Sequence, residues 1–408
     1  MNANDFYACF GGFGIQHWGN IYAPDIEGAC RALTVCTVNG DTGEMTPVHT
    51  GPQVLSPSTL VVSPDQKFIY AGNEEKDFIK PGYGGGLSAF SFDMATGTLQ
   101  LINQSLAYGS STAYITLDKT AKYIFVANHG SKFYCSRYEM VDGALQPKVI
   151  RDEGCVCVFK VREDGGIGEL VDRLVLEGTG GHPVEHASAH PHSILLDDQD
   201  FAVIPNKGGD NIYVCKFNRE TEKLDVLSVY KSEFASSPRH VCFVPGTPYV
   251  LVQNEYDGHL CSYALDRAAG TLTRISRVDT WMPELQEKKE FHLMKQMKQQ
   301  HPWGLDVQLH PNGRFVFNNN TQGIIGTLEI DRETGELTLL HRHVLEGLGS
   351  MTRGMQIDRS GRFLVATGVM SEKALVFSID EETGALTPAS EVALPTPTAV
   401  RFLYPYQA

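Results

Sequence analysis

The chain has 408 residues, of which 42% are hydrophobic and 20% charged, so it holds enough apolar side chains for a sizeable folded core. Glycine accounts for 40 residues, which indicates a turn-rich chain and argues against an all-helical one. The net charge of −14 argues against nucleic acid or an anionic membrane surface as a partner.

Neither a membrane span nor a secretory signal is predicted. No run of apolar residues is long enough to cross a bilayer, and residues 1–10 lack a basic region followed by an apolar stretch. The nine cysteines are an odd number without a CxxC pair, which favours reduced thiols and a cytoplasmic location. Cys155 and Cys157 are expected on opposite faces of one strand and therefore not on a common zinc ion.

A β-hairpin pattern recurs seven times along the chain. Each copy has an alternating strand, a turn of the form D-x-x-T-G or a looser variant, and a second strand. The copies begin at Ala32, Leu87, Val156, Ile212, Leu260, Gly326 and Ala374. This regular recurrence indicates a repeat architecture.

A second pattern, an apolar strand, a polar turn and another apolar strand, lies between the hairpins. Its copies begin at Thr59, Tyr114, His192, His240, Leu305 and Met355, with a truncated one from Thr398. Two hairpins per repeat predict an all-β fold, a seven-bladed β-propeller of four-stranded antiparallel blades in one domain spanning 1–408. The last strand is expected to pair with the N-terminal strand near residues 6–10 and so close the ring.

Three insertions interrupt the repeat, near residues 14–29, 129–154 and 279–302. We expect them on one face of the propeller, where long loops often shape a binding site. The third is rich in helix-forming residues, and its middle is predicted to be a short amphipathic helix.

Four short motifs resemble a known family when taken with the hairpins. They are F-V-A-N-H-G at 125–130, A-H-P-H-S at 189–193, S-P-R-H at 237–240 and Q-N-E at 253–255. The chain resembles the lactonase family of seven-bladed propellers, which includes propeller-type 6-phosphogluconolactonases and fungal carboxymuconate-lactonizing enzymes. The resemblance covers nearly the whole chain outside the insertions.

The resemblance implies a catalytic site formed by His192, Arg239 and Glu255. The family places a further arginine after the second strand of the sixth copy, where this chain has Thr321. Arg353, which heads the seventh copy as Arg239 heads the fifth, is the candidate to supply that charge.

Blade geometry supports the same grouping without the family. The first strand of a blade begins, and the second ends, at one end of the propeller near its axis. Arg239 begins a first strand and Glu255 ends its neighbour, while His192 and Arg353 open other copies, so these side chains are expected in one axial funnel. The alternative is that Arg239 and Glu255 form a structural ion pair within one blade.

Further substrate contacts are assigned to His190, Asn254, Trp303 and Asp306. Each has a structural alternative: a polar loop for the histidine, turn formation for the asparagine and packing for the tryptophan. The His-rich segment 182–192 has a composition that suits Zn²⁺ or Mn²⁺, but HExxH is absent and two prolines prevent one continuous helix. No metal and no cofactor are predicted.

The predicted activity is ring-opening hydrolysis of a sugar lactone or another small hydroxy-acid lactone. Glu255 or His192 is expected to act as the base, and Arg239 with Arg353 to hold the carbonyl oxygen or a carboxylate. The alternatives are an intramolecular lyase that closes a lactone and a non-catalytic interaction platform. The expected partner is a small-molecule lactone, and the protein is expected to be a monomer or small homo-oligomer.

The charge of the substrate is also predicted from the arginines. A funnel with at most two of them, Arg239 and Arg353, in an acidic chain predicts that an uncharged or singly anionic lactone is preferred over a phosphorylated one.

Overall fold

The computed structural model describes residues 4–14, 30–130, 134–182, 186–285, 302–345 and 352–405. Within these ranges the chain forms seven four-stranded antiparallel sheets and a separate two-stranded hairpin. The predicted seven-bladed β-propeller is therefore confirmed.

The strands follow one another around the ring. In chain order they are β1 (Phe6–Gly12), β2 (Ala32–Val38), β3 (Met45–Gln53), β4 (Pro57–Val62), β5 (Phe68–Asn73), β6 (Gly86–Asp93), β7 (Thr98–Leu106), β8 (Thr112–Leu117), β9 (Tyr123–Asn128), β10 (Tyr134–Val141), β11 (Ala144–Arg151), β12 (Cys155–Val161), β13 (Ile167–Val175), β14 (Leu195–Leu196) and β15 (Phe201–Asn206). They continue as β16 (Asn211–Asn218), β17 (Lys223–Lys231), β18 (Pro238–Phe243), β19 (Tyr249–Asn254), β20 (His259–Asp266), β21 (Thr271–Asp279), β22 (Gly304–Leu309), β23 (Phe315–Asn320), β24 (Ile324–Ile330), β25 (Leu337–Val344), β26 (Thr352–Ile357), β27 (Phe363–Gly368), β28 (Lys373–Ile379), β29 (Leu386–Ala393) and β30 (Pro397–Leu403).

Six blades take their strands from one stretch of chain each, and the first blade joins the two ends. From the inner to the outer strand, the order of blade 1 is β30, β1, β2 and β3. Tyr7 pairs with Leu403 and Phe10 with Val400, so the last strand closes the ring as predicted. Blades 2 to 7 begin with the inner strands β4, β8, β14, β18, β22 and β26.

In most blades the hairpin turn before the outer strand forms because an Asp side chain accepts backbone hydrogen bonds and a Gly adopts a positive φ. In the turn after β24, Oδ1 of Asp331 accepts hydrogen bonds from the backbone N of Glu333 (2.7 Å) and Thr334 (3.1 Å). Gly335 then has φ = +79°, a conformation in which a side chain would be strained. The D-x-x-T-G pattern thus marks the turn between the third and fourth strands of a blade.

The core lies between the blades. Seven clusters of buried apolar residues each combine side chains from two neighbouring sheets. One of them joins blades 7 and 1, where Phe363 and Val376 pack with Phe6 and Phe10. The period-2 pattern of the strands supplies both faces of every sheet, and burial of these faces is the main stabilising contribution.

The strand ends that flank all three predicted insertions lie at the end of the propeller where the inner strands begin, which agrees with their expected placement on one face. Within the second insertion, β10 and β11 form the separate hairpin, and one of its faces carries Tyr138, Met140, Leu145 and Val149, each more than half exposed. The helix predicted in the third insertion falls on residues 286–301, outside the described ranges. In the described part of the chain, no helix is long and apolar enough to cross a membrane.

The expectation that Cys155 and Cys157 face opposite sides of their strand is wrong. Residues two apart on a strand share a face, and the two Sγ atoms lie 4.0 Å apart. Asn128 donates from Nδ2 toward both sulfur atoms, at 3.7 and 3.6 Å.

Candidate active site

The inner strands begin with an irregularity that points adjacent side chains toward the propeller axis. In β18 the register shifts between Pro238 and His240, which leaves Arg239 unpaired in the ladder. Equivalent shifts occur at the start of β4, β8, β22 and β26. A β-bulge breaks the strict alternation of a strand and re-aims side chains, so two consecutive residues of one strand face the same space.

These strand starts surround a cavity on the axis. It holds about 420 Å³ of empty space, part of which is open solvent. Every blade contributes to its wall, through Ser58, Thr59, Glu74, Ala113, Tyr114, His192, Arg239, His240, Asp306, Arg353, Gly354, Thr398, Ala399 and Arg401. The predicted axial funnel therefore exists and is lined mainly by polar groups.

Four of the eight predicted site residues line this cavity: His192, Arg239, Arg353 and Asp306. They come from four different blades, as the repeat register implied. Their chemical roles stay predictions.

Glu255 does not line the cavity. It forms ion pairs behind the cavity wall. Its Oε2 accepts a hydrogen bond from Nε of Arg239 at 2.8 Å, and its Oε1 lies 2.5 Å from Nζ of Lys207. All three side chains are buried, with at most 7% of each exposed. A carboxylate held between two buried cations is better suited to positioning Arg239 than to accepting a proton.

His190, Asn254 and Trp303 also lie outside the cavity wall. The His190 ring stacks on His129 with centroids 4.6 Å apart, and its Nδ1 lies 2.6 Å from the His129 carbonyl oxygen. Asn254 donates to Asp257 at 3.2 Å. Trp303 is 6% exposed, and its ring lies 6.4 Å from that of Tyr256. The structural alternatives for these three residues therefore describe their surroundings better than direct substrate contact.

Thr321 has a structural function where the family has an arginine. Its Oγ1 accepts a hydrogen bond from the backbone N of Trp303 at 2.9 Å, and its own N donates to the Trp303 carbonyl at 2.8 Å. These bonds fix the chain as it enters β22.

The expectation of at most two arginines in the funnel is wrong, because Arg401 lines it as well. Arg401 lies on β30 and donates to Gln356 at 3.2 Å. Arg353 stacks on Phe13, with the guanidinium 4.6 Å from the ring centroid, and one of its nitrogens lies 3.8 Å from Glu74. Three guanidinium groups against the carboxylates of Glu74 and Asp306 make the cavity wall cationic within a chain of net charge −14.

His192 stands in the cavity wall as a neutral imidazole. Its ring lies between those of His129 and His240, with centroids 5.4 and 5.2 Å away. Burial, followed by the charge of Arg239, lowers its pKa well below the usual value. Its Nδ1 is buried and has no hydrogen-bond partner in the described part of the chain. An unpartnered buried nitrogen is costly and often marks a functional group.

His240 and Asp306 were not recognised as a pair from the sequence. Nδ1 of His240 lies 2.9 Å from Oδ1 of Asp306, and Nε2 lies 3.0 Å from Nη1 of Arg239. Burial, and then Arg239, lowers the pKa of His240 to about 4. The position of His240 in S-P-R-H, next to Arg239, was the available signal, but strict strand alternation places it on the opposite face.

The histidines of the His-rich segment lie in separate environments. Nε2 of His186 is 3.1 Å from Oγ of Ser237, His190 stacks on His129, and His192 faces the cavity. Among the described residues, no three His, Cys, Asp or Glu side chains are grouped closely enough to hold a metal ion.

Seven blades around a charged axial cavity define a β-propeller with a candidate small-molecule site. The chain belongs to the lactonase family: a family model described as "Lactonase, 7-bladed beta-propeller" matches residues 22–402. The resemblance based on the four motifs is confirmed, and with it the expected enzyme family.

Curated relatives extend over most of the chain. A protein named 6-phosphogluconolactonase from Bacillus subtilis (strain 168) is 26% identical over 325 residues, which cover 78% of this chain and 81% of the relative. One of the same name from Formosa agariphila is 25% identical over 361 residues, covering 87% and 90%. The solved periplasmic gluconolactonase PpgL of Pseudomonas aeruginosa has the same fold, with a TM-score of 0.78 at 22% identity over 98% of this chain and 99% of that one.

Proposed function

We propose that this protein hydrolyses a small lactone in the axial cavity and that the substrate carries an anionic group. Membership of the lactonase family and the names of the curated relatives support the reaction class. The observation that carries the proposal is the convergence in one cavity of three guanidinium groups with the neutral imidazole of His192, whose Nδ1 has no hydrogen-bond partner among the described residues.

Each part of the reaction has a candidate group. His192 is assigned as the base: as water attacks the lactone carbonyl carbon, its proton passes to the imidazole. Arg239 is assigned to the carbonyl oxygen, whose negative charge grows as the tetrahedral intermediate forms. When the ring C–O bond breaks, the leaving alkoxide takes the proton back from His192, and the product is the open hydroxy acid.

Arg353 is assigned to the anionic group of the substrate. Its guanidinium packs on Phe13, and the nearest carboxylate oxygen, on Glu74, is 3.8 Å away, so its N–H groups remain available to a ligand. Arginine can bind a carboxylate or a phosphate with two parallel hydrogen bonds. Arg401, on β30, adds further positive charge to the cavity wall.

The third arginine changes the expected substrate. The preference for an uncharged or singly anionic lactone was argued from two arginines, and that premise no longer holds. We therefore place 6-phosphogluconolactone, the substrate implied by the relatives' names, ahead of gluconolactone.

The test is a comparison of substrates on purified protein at a pH where spontaneous ring opening is slow. The assay includes gluconolactone, 6-phosphogluconolactone and a muconate, the last to detect a lyase. We expect kcat/KM for the phosphorylated lactone to exceed that for gluconolactone at least tenfold, equivalent to about 1.4 kcal/mol. Rates equal to those of buffer for every lactone would refute the proposed hydrolase.

A matched pair of variants localises the activity. Arg239→Lys keeps the charge but loses the planar donor group, and we expect kcat to fall roughly 10²–10³-fold. Arg314→Lys makes the same change at an exposed ion pair with Glu329 and is the control. Near wild-type kcat in Arg239→Lys would place the reaction outside this cavity.

A further inference from the structure

Arg239 is held in the cavity wall by acceptors on several sides. Its Nε donates to Glu255, and its Nη1 donates to the carbonyl of Leu305 and faces Nε2 of His240 at 3.0 Å. Nη2 has no hydrogen-bond partner among the described residues. The guanidinium is therefore fixed through two nitrogens, and the third is available to a ligand.

The hydrogen-bond pattern allows one protonation state for His240. Asp306 is an ionised acceptor, because hydrogen bonds from His240 and from the backbone N of Met355 lower its pKa despite its burial. The Nδ1 facing it must therefore carry a proton. The guanidinium at Nε2 can only donate, so Nε2 must be unprotonated. His240 is thus neutral, with its proton on Nδ1.

We infer that Asp306 and His240 are positioning residues for Arg239: the carboxylate fixes the imidazole tautomer, and the imidazole fixes the guanidinium. This inference deepens the proposed function and rests on it, because Arg239 is assigned to the carbonyl oxygen of the lactone. Neither residue has to touch the reacting atoms. The role differs from that of Glu255, which holds the other side of the same guanidinium.

Burial and the charges of Arg239 and Arg353 favour the neutral imidazole of His240. Arg353, on β26, contributes one of these charges. The ring of His192, from the neighbouring blade, has its centroid 5.2 Å from that of His240. Tyr114, on β8, packs edge-on against the His240 ring, with the two ring centroids 5.3 Å apart. Asp306 is the only one of these groups that favours a cation, and its hydrogen bond is already satisfied by neutral His240.

Two amide substitutions separate the two imidazole nitrogens. In His240→Asn the amide lies near the place of Nδ1, so the bond to Asp306 is kept and the acceptor for Arg239 is lost. In His240→Gln the amide reaches the place of Nε2 and offers an acceptor to Arg239. We expect kcat to fall at least tenfold further in His240→Asn than in His240→Gln, with KM within about threefold in both. His341→Gln, on the outer strand β25, is the control for a His-to-amide change.

A spectroscopic measurement tests the tautomer without any substrate. With selective ¹⁵N labelling of histidine, we expect the wild-type resonances of His240, assigned by their loss in His240→Gln, to show a protonated Nδ1 and an unprotonated Nε2 at pH 7. A proton on Nε2, or equal kcat losses in the two amide variants, would overturn the inference. If the wild type hydrolyses no lactone, the proposed function fails while the tautomer measurement still decides the positioning geometry.

Discussion

Replacing Glu255 with Gln should destabilise the protein, because two buried cations lose their shared counter-charge. Lys207 Nζ lies 2.5 Å from one carboxylate oxygen and Arg239 Nε lies 2.8 Å from the other. All three side chains are almost completely buried, so water cannot replace the missing charge. Breaking a buried pair by removing one partner costs about 3–5 kcal/mol.

Thermal unfolding is the assay for this change. With an unfolding entropy of about 2.1 cal/mol/K per residue over 408 residues, 3–5 kcal/mol corresponds to a decrease in Tm of about 3–6 °C. The double variant Lys207→Met with Glu255→Gln is the matched control, since it removes one cation together with the anion. We expect it to recover at least half of the lost Tm, as coupled neighbours do.

The competing hypothesis is that Glu255 is the catalytic base. It predicts an unchanged Tm, a large loss of kcat with KM preserved, and loss of the acid limb of the pH–rate profile. A variant with those three properties would refute the positioning role that we derive from the ion pairs with Lys207 and Arg239.

Three further changes have defined outcomes. Arg353→Gln should raise KM for 6-phosphogluconolactone at least tenfold and for gluconolactone less than threefold, measured by initial rates. Because burial lowers the pKa of His240 to about 4, below its unfolded value near 6.5, the unfolded state binds more protons between these pH values and stability falls with acidification. The decrease in Tm from pH 7 to 4.5 should therefore be about 2–3 °C smaller in His240→Gln. Deleting β30 should abolish soluble expression, because Val400 and Phe402 leave the cluster between blades 7 and 1, whereas deletion of 406–408 is the control.

The architecture was predictable because it depends on features that repeat. Alternating apolar residues recur in every blade, and the Asp and Gly of the hairpin turn recur in most of them, so a departure such as Asn218 and Glu222 in the fourth copy does not change the predicted fold. The pairing of β30 with β1 followed from the truncated last repeat and the need to remove free edges.

The cavity wall was only partly predictable because the inner strands do not alternate strictly where they begin. The register shift in β18 turns both Arg239 and His240 toward the axis, and the one in β8 leaves Ala113 beside Tyr114 in the wall. A period-2 assignment recovers one residue of each such pair and places the other on the wrong face.

Lys207 was not identified from the sequence, and here a β-bulge is not the reason. Its position in the repeat was a signal that could have identified it. It follows the asparagine that ends the second strand of its repeat, as Glu74, Glu255 and Thr321 do in theirs. Placing these residues in one register puts Lys207 on the blade next to Glu255, at the same height along the axis. The ion pair joins two blades, so only a comparison of the repeats in register reveals it, and the local sequence of one blade does not.

The same geometry explains how the family arginine can be absent without loss of positive charge in the funnel. All seven inner strands begin around one axis, so a cation from any blade contributes to the potential in the same cavity. Thr321 fixes the backbone of Trp303 instead, and Arg353 and Arg401 supply cations from blades 7 and 1. Motif positions compared one by one therefore underestimate the positive charge of a propeller site. The geometry of one donor is nevertheless specific to its position: among the described residues, Arg239 alone contacts both Glu255 and His240. A cation on another blade can therefore supply charge to the cavity but cannot replace this oriented donor.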